Sequence, residues 1–230
     1  MVATAEAAGT RTVALMTDMG QPLGRTAGNW IEVAECVELL RGGTPAGNAD
    51  LRELSLRLAG WMIHLGGKTK TAEQGYWAAA GALADGTAFK VFLEMIDAQG
   101  GEISIFDDLK AAHKPGATRV LESWKSGYVG EMDTTELGWA VQRLGAGRER
   151  AGEPVDPHAG IEFHARRGAH VEKGQPFATL YATNETMLAE PVERIKRAVA
   201  FSDKSPEEVP LVSHIFAKEN AETYLRDAVR

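Results

Sequence analysis

The sequence predicts an α/β remainder, meaning a strand plus the helices of a larger α/β domain, followed by an α+β domain. Three observations carry that prediction. A strand, a Gly/Pro-containing loop and an amphipathic helix lie in TVALMTDMGQPLGRTAGNWIEVAECVELLRGG, residues 12–43. Helical periodicity then continues to Gly101. After Lys114-Pro115-Gly116, short β-like runs broken by glycine replace it. α/β enzymes place such a strand–loop–helix unit inside a sheet, with other strands before it, yet only residues 1–11 come first here. The chain is therefore expected to be the second half of an enzyme. Residues 1–114 would complete the α/β domain and residues 115–230 would form the α+β domain.

VALMT, residues 13–17, is a short continuous apolar run, the pattern of a buried parallel strand. The loop from Asp18 to Gly28 holds three glycines and Pro22, so it turns sharply and exposes backbone groups. The next helix sets Trp30, Val33, Ala34, Val37 and Leu40 on one face and Glu32, Glu35 and Glu38 toward another, then stops at Gly42-Gly43. Asp50 is the expected N-cap of a second helix carrying Leu51, Leu54, Leu58, Trp61 and Leu65 at helical spacing. TAEQ, residues 71–74, fits a capping box that opens a third, alanine-rich helix ending at Gly86. A fourth helix turns Phe89, Phe92 and Ile96 inward and ends at Gly100-Gly101.

Between residues 117 and 182 the strand-like runs are TRVLESW, GYVGEM, GIEFHARRG and PFATLYA. GIEFHARRGAHVEKGQPFATLY reads as a strand, a turn at Arg167-Gly168, a short strand, a turn at Lys173-Gly174 and a last strand. That cadence resembles half of a barrel-sandwich hybrid, the architecture of biotinyl and lipoyl carrier domains. A helix is expected over Pro191 to Ser202, with Val192, Ile195 and Val199 inward, and a closing strand over Leu211 to Phe216.

Composition narrows the function classes. The chain has 230 residues, 44% hydrophobic and 25% charged, which suits a globular protein with real cores. A net charge of −7 argues against a nucleic-acid surface, which needs clustered Lys and Arg. The lone Cys36 excludes an internal disulfide and suits a reducing cytoplasm. No run approaches the roughly 20 apolar residues that cross a bilayer, and MVATAEAAGTRT lacks a signal-peptide plan. A cytoplasmic location and no membrane partner are the expectations.

TDMGQPLGRTAGNWIEVAE resembles the T-x-M-x-Q-P-L-G-R-x-x-G-N-x-x-E-V-x-E segment of thymidine and pyrimidine-nucleoside phosphorylases, with matches at Asp18, Met19, Gln21, Pro22, Leu23, Gly24, Arg25, Gly28, Asn29, Glu32, Val33 and Glu35. GEMDTTELGWAVQRLGAGRERAGEPVDPHAGIEFHARRGAHVEKGQPFATLYA is similar to the family's C-terminal β domain. The resemblance implies conversion of a pyrimidine nucleoside and phosphate into free base and pentose 1-phosphate. It also implies a monovalent cation, potassium, held by the carbonyls of Leu23 and Thr26 and the carboxylate of Glu35. Thr26 replaces the family's usual alanine, an exchange that a backbone ligand tolerates. Hard ions take oxygen donors, and an irregular loop facing a helix can aim carbonyls inward.

The family's S-G-R-x-x-x-x-x-G-G-T-x-D signature does not occur in these residues, and neither a GxGxxG nor a P-loop replaces it. Phosphorolysis needs an anion site and a group that stabilises the leaving base, so the chain alone is expected to be inactive. It would be completed by a missing N-terminal half or a homodimer partner. Two other readings stay open: a complementing or scaffold subunit, and a non-catalytic binding module that kept the fold.

The other chemistry-bearing residues have plainer expectations. Asn29 caps the following helix or braces the loop, and Arg25 pairs with Asp18 or Glu32. Spacing alone would make Glu35 one of three glutamates on a solvated helix face. The six histidines show no HExxH spacing and no cysteine partner for zinc. Cys36 is expected in the core, and Glu131 and Asp133 read as turn and edge residues. Lys125 and Lys173 lack the flanking residues of a carrier-domain acceptor lysine.

Overall fold

The computed structural model describes residues 1–43 and 48–218. In chain order the elements are α1 (Val2–Ala7), β1 (Ala14–Thr17), β2 (Thr26–Gly28), α2 (Trp30–Leu40), α3 (Ala49–Leu65), α4 (Ala72–Ala84), α5 (Thr87–Ala98), α6 (Leu109–Ala112), β3 (Ala117–Glu122), β4 (Gly127–Met132), α7 (Thr134–Val141), β5 (Gly160–Phe163), β6 (His170–Val171), β7 (Pro176–Ala182), α8 (Ala189–Ala198), β8 (Val199–Ser202) and β9 (Val212–Phe216). Helices and sheets are mixed, as the sequence predicts. Two compact units form. One comprises Met1–Asp18, Asp50–Asp85 and the described residues from Val209 onward. The other comprises Met19–Ala49 and Gly86–Glu208, so the expected boundary near Lys114 falls inside it.

In the first unit β1 pairs antiparallel with β9, from Ala14 opposite Phe216 to Thr17 opposite Val212. The closing strand is thus present, but β1 is not the buried parallel strand its apolar run suggests. Its side chains alternate between exposed and half-buried, with Met16 51% exposed. α3 starts one residue before Asp50, which therefore sits in the first turn rather than at the cap. Leu54 and Leu56 are buried while Leu58 points out. The capping box opens α4 as expected: Thr71 Oγ1 accepts from the Gln74 amide at 3.1 Å, and Gln74 Oε1 accepts from the Lys70 amide at 3.0 Å.

α3 and α4 touch through glycine. A Cβ on Gly60 would lie 2.7 Å from the Tyr76 nitrogen and 2.8 Å from the Ala72 carbonyl oxygen, and one on Gly75 would run into the Gly60 carbonyl. Helix propensity alone favours alanine over glycine by about 1 kcal/mol. Gly75→Ala is nonetheless expected to destabilise the protein by about 1–3 kcal/mol, because the backbones must separate. Denaturant titration of the two chains checks the sign.

The second unit holds a four-stranded sheet, β2-β5-β7-β3, and a three-stranded sheet, β6-β4-β8, both antiparallel. Their apolar residues share one core with α7 and α8, in which Phe177, Leu144, Ile161, Leu180 and Ile195 are fully buried. The turns fall at Gly168 and Gly174, whose φ of +88° and +89° favour glycine. Two helices depart from expectation. Asp133 is neither a turn nor an edge residue but the N-cap of α7, accepting from the Thr135 and Glu136 amides. α8 stops at Ala198 rather than Ser202, because Val199–Ser202 peels off as β8 to pair with β4.

α2 is rotated from its expected face. Ile31, Glu35, Val37 and Leu39 are buried, while Val33 is 38% exposed. Cys36 is exposed rather than in the core. Partial desolvation and then the Glu35 and Glu32 carboxylates push its thiol pKa up, which disfavours the thiolate. In α5, Phe89, Phe92 and Ile96 are half-buried, and Phe92 meets Phe106 edge-on at 5.1 Å.

Candidate functional site

The glycine- and proline-rich loop of residues 19–28 is bound to the β sheets along most of its length. The Met19 carbonyl accepts from Thr134 Oγ1 at 3.0 Å, and Gln21 Oε1 accepts from the Arg167 amide at 3.2 Å. The Pro22 carbonyl accepts from Arg166 Nη2 at 2.7 Å, and the Arg25 carbonyl from the Phe163 amide at 2.7 Å. Residues 26–28 then become β2, the edge strand of the four-stranded sheet. Asn29 braces the loop and does not cap α2: its Nδ2 donates to the carbonyls of Ala146, at 3.0 Å, and Asp156. Glu32 reaches back instead, accepting from the Gly28 amide at 2.7 Å. Burial outweighs that bond and raises the Glu32 pKa, and Glu35 adds to the rise.

Glu35 is 3% exposed, so it is not a residue of a solvated face. Its Oε1 accepts the Arg25 amide at 2.9 Å and its Oε2 accepts the Thr26 hydroxyl at 2.7 Å. Gly24, at φ +66°, makes room for the carboxylate, since a Cβ there would sit 2.6 Å from Oε2. Arg25 pairs with neither Asp18 nor Glu32 in the described contacts. Its Nη2 donates to Glu38 Oε2 at 2.8 Å, and its Nε lies 3.5 Å from Glu162 Oε1 and 3.7 Å from Glu35 Oε1. One guanidinium thus faces three carboxylates drawn from α2 and β5.

Beyond them, Tyr181 donates its hydroxyl to Glu162 Oε2 at 3.1 Å, and the ring of His113 meets Tyr181 edge-on at 4.5 Å. Burial first, then the Glu162 charge and hydrogen bond, push the Tyr181 pKa up to about 12. A raised phenol contributes stability that is complete below the unfolded tyrosine pKa of about 10 and is lost as pH rises through the folded value. The Tyr181→Phe variant is therefore expected to have a flatter fall in stability above about pH 10 than the parent chain. Chemical denaturation across that range is the check. Equal slopes would mean that the hydroxyl is not held neutral by the fold.

Of the three residues expected to hold a cation, the fold brings Thr26 and Glu35 into direct contact, and Leu23 adjoins Gly24, whose backbone lies against the same carboxylate. In an antiparallel ladder the carbonyls of successive residues point to opposite sides. The Arg25 carbonyl points to β5, so that of Thr26 points to the open side of the edge strand. One carboxylate and backbone carbonyls are the oxygen donors that a hard monovalent ion takes, and both Glu35 oxygens are engaged here by the Arg25 amide and the Thr26 hydroxyl.

In the described contacts three of the six histidines make side-chain hydrogen bonds: His64 with the Thr69 carbonyl, His113 with the His158 carbonyl, and His164 with Thr179 Oγ1. Among the described residues no three His, Cys, Asp or Glu side chains are grouped so that they could hold one metal ion. Nor is any described helix long and apolar enough to cross a membrane. The contacts that sequence reasoning missed are Arg25 with Glu38 and Glu162, Arg166 with Pro22, and Thr134 with Met19. Except for Glu38, 13 residues from Arg25, these partners lie more than a hundred residues apart and leave no local signal.

Residues 128–202 match the pyrimidine nucleoside phosphorylase C-terminal domain. Over 212 residues, 92% of its length, the chain is 37% identical to the thymidine phosphorylases of two Mycobacterium tuberculosis strains, and the match covers 46% of each. It therefore spans about half the length of the curated relatives it matches. These matches support a C-terminal region of the thymidine/pyrimidine-nucleoside phosphorylase family.

Proposed function

We propose that this chain supplies the C-terminal portion of a pyrimidine-nucleoside (thymidine) phosphorylase. The complete enzyme would convert a pyrimidine nucleoside and phosphate into free base and (deoxy)ribose 1-phosphate. The observation that carries the reading is the residue 19–35 segment, tied through Gln21 and Pro22 to Arg167 and Arg166 and closed on itself by the buried Glu35 carboxylate. The 37% identity to thymidine phosphorylases supports it. In this reading residues 1–114 belong to the family's α/β domain and residues 115–230 to a β domain of barrel-sandwich type, for which the two sheets on one core are the support.

Leu23, Thr26 and Glu35 would hold a monovalent cation, potassium being the expected one. The ion would supply fixed positive charge between this loop and the phosphate-binding part of the enzyme. The chain's own residues orient the loop: Gln21 and Pro22 tie it to Arg167 and Arg166, and Glu35 clamps the amide of Arg25. These 230 residues contain no phosphate-binding signature, so the chain by itself would not turn over. It would act in the cytoplasm, with an N-terminal half or a homodimer partner.

Mixing tests this. Thymidine and uridine are offered, with phosphate and potassium, to the chain alone, to an N-terminal half from a related phosphorylase alone, and to both. Activity only in the mixture supports a complementing portion. A stable, inactive monomer in every arm would favour a non-catalytic binding module.

A further inference from the structure

Among the described residues the cluster around Glu35 is short of positive charge. Glu35, Glu38 and Glu162 face one described cation, Arg25, and Glu32 adds a fourth carboxylate one turn away on α2. Only Glu38 receives a close bond from the guanidinium, at 2.8 Å. Arg25 Nε is buried with no hydrogen-bond partner, and it sits between Glu35 and Glu162 at 3.7 and 3.5 Å, beyond hydrogen-bonding reach of either. Glu35, the most buried of these carboxylates, takes hydrogen bonds from two neutral donors, the Arg25 amide and the Thr26 hydroxyl, and has Arg25 Nε at 3.7 Å. A buried carboxylate in that setting needs a counter-charge, and an arginine stem is long enough to close a gap of less than an ångström.

We propose that the Arg25 guanidinium is a built-in counter-ion for Glu35, which competes with a monovalent cation for the same carboxylate. The inference rests on the cation reading above. When no ion is present the guanidinium neutralises Glu35. When an ion sits against Glu35, repulsion between like charges leaves Arg25 on Glu38 and Glu162. Arg25 is a positioning residue in this scheme, because it sets the affinity of the cation site and the resting geometry of the loop without meeting substrate.

The test is thermal unfolding of the 230-residue chain in potassium chloride and in choline chloride at equal ionic strength. Choline, a bulky organic cation, cannot be coordinated closely by protein oxygens as a bare monovalent ion can. Arg25→Gln is expected to lower the melting temperature in choline chloride by about 2–4 °C, the shift of a modest stability loss in a chain of this size, and potassium chloride should restore at least half of it. Arg25→Lys, which keeps a positive charge, should behave as the parent, and Arg25→Gln with Glu35→Gln should lose the difference between the salts. If Arg25→Gln folds only in potassium chloride, that is the same result in stronger form. Equal destabilisation in both salts, or none in either, would overturn the proposal. If parent and Arg25→Gln respond identically to potassium, the cation reading stands and the role of Arg25 falls. If neither responds, both fall together.

Discussion

Replacing Phe177 by alanine is expected to lower the unfolding free energy by about 3–5 kcal/mol, the largest single effect anticipated in the second unit. Phe177 is fully buried in β7, and its backbone carbonyl accepts from the His164 amide at 2.8 Å. Its ring meets Trp124 edge-on at 5.5 Å and Phe163 at 6.3 Å, and Trp124 in turn meets Phe201 of β8 at 5.1 Å. Truncation therefore leaves a cavity where side chains of both sheets converge, and the flanking rings cannot fill it without leaving their own contacts. Phe177→Leu should recover part of the loss because it restores volume without the edge-on geometry. Urea titration of the three chains gives the series. A loss below about 1 kcal/mol for Phe177→Ala would show that the two sheets do not depend on this aromatic cluster.

The second large effect is at Glu35. Glu35→Ala is expected to cost about 2–4 kcal/mol, because the Arg25 amide and the Thr26 hydroxyl both lose their acceptor inside the protein. Each is bonded at 2.9 Å or less to a carboxylate that is 3% exposed. Glu35→Gln keeps one carbonyl oxygen for the amide, and the Thr26 hydroxyl can turn to accept from the new amide group, so its cost should stay within about 1 kcal/mol. The two variants separate shape from charge. Both should weaken potassium activation in a complemented enzyme, but only alanine should weaken the fold. If glutamine is as destabilising as alanine, the carboxylate's charge, not its two hydrogen bonds, holds the loop.

The sequence made the larger features readable where local chemistry dictates them. The strand–loop–helix order of residues 13–40, the Thr71 cap and the left-handed glycines at 168 and 174 all follow from neighbours within four residues. The face of α2 differs from the periodic expectation because hydrophobic spacing sends glutamates to solvent, whereas Glu35 is buried to satisfy the Arg25 amide ten residues before it. α7 had a readable signal, Asp133 three residues before Glu136 as in a capping box, masked by the strand-like GYVGEM ahead of it. β8 was lost inside a helical pattern because Val199 continues the apolar spacing of α8 while its backbone already pairs with Met132. At the candidate site, the family motif marks Glu35 and Thr26 as neighbours, and the structure joins them through the Thr26 hydroxyl. The arginine that faces three carboxylates was legible as a residue but not as a contact, since Glu162 lies on a strand far along the chain.

The most direct measurement is phosphate-dependent release of thymine from thymidine while this chain is titrated into a fixed amount of a related N-terminal half, with potassium present. The account predicts no turnover by the chain alone and a rate that rises to a plateau at a stoichiometric ratio. Turnover by the chain alone, or no turnover at any ratio, would contradict it.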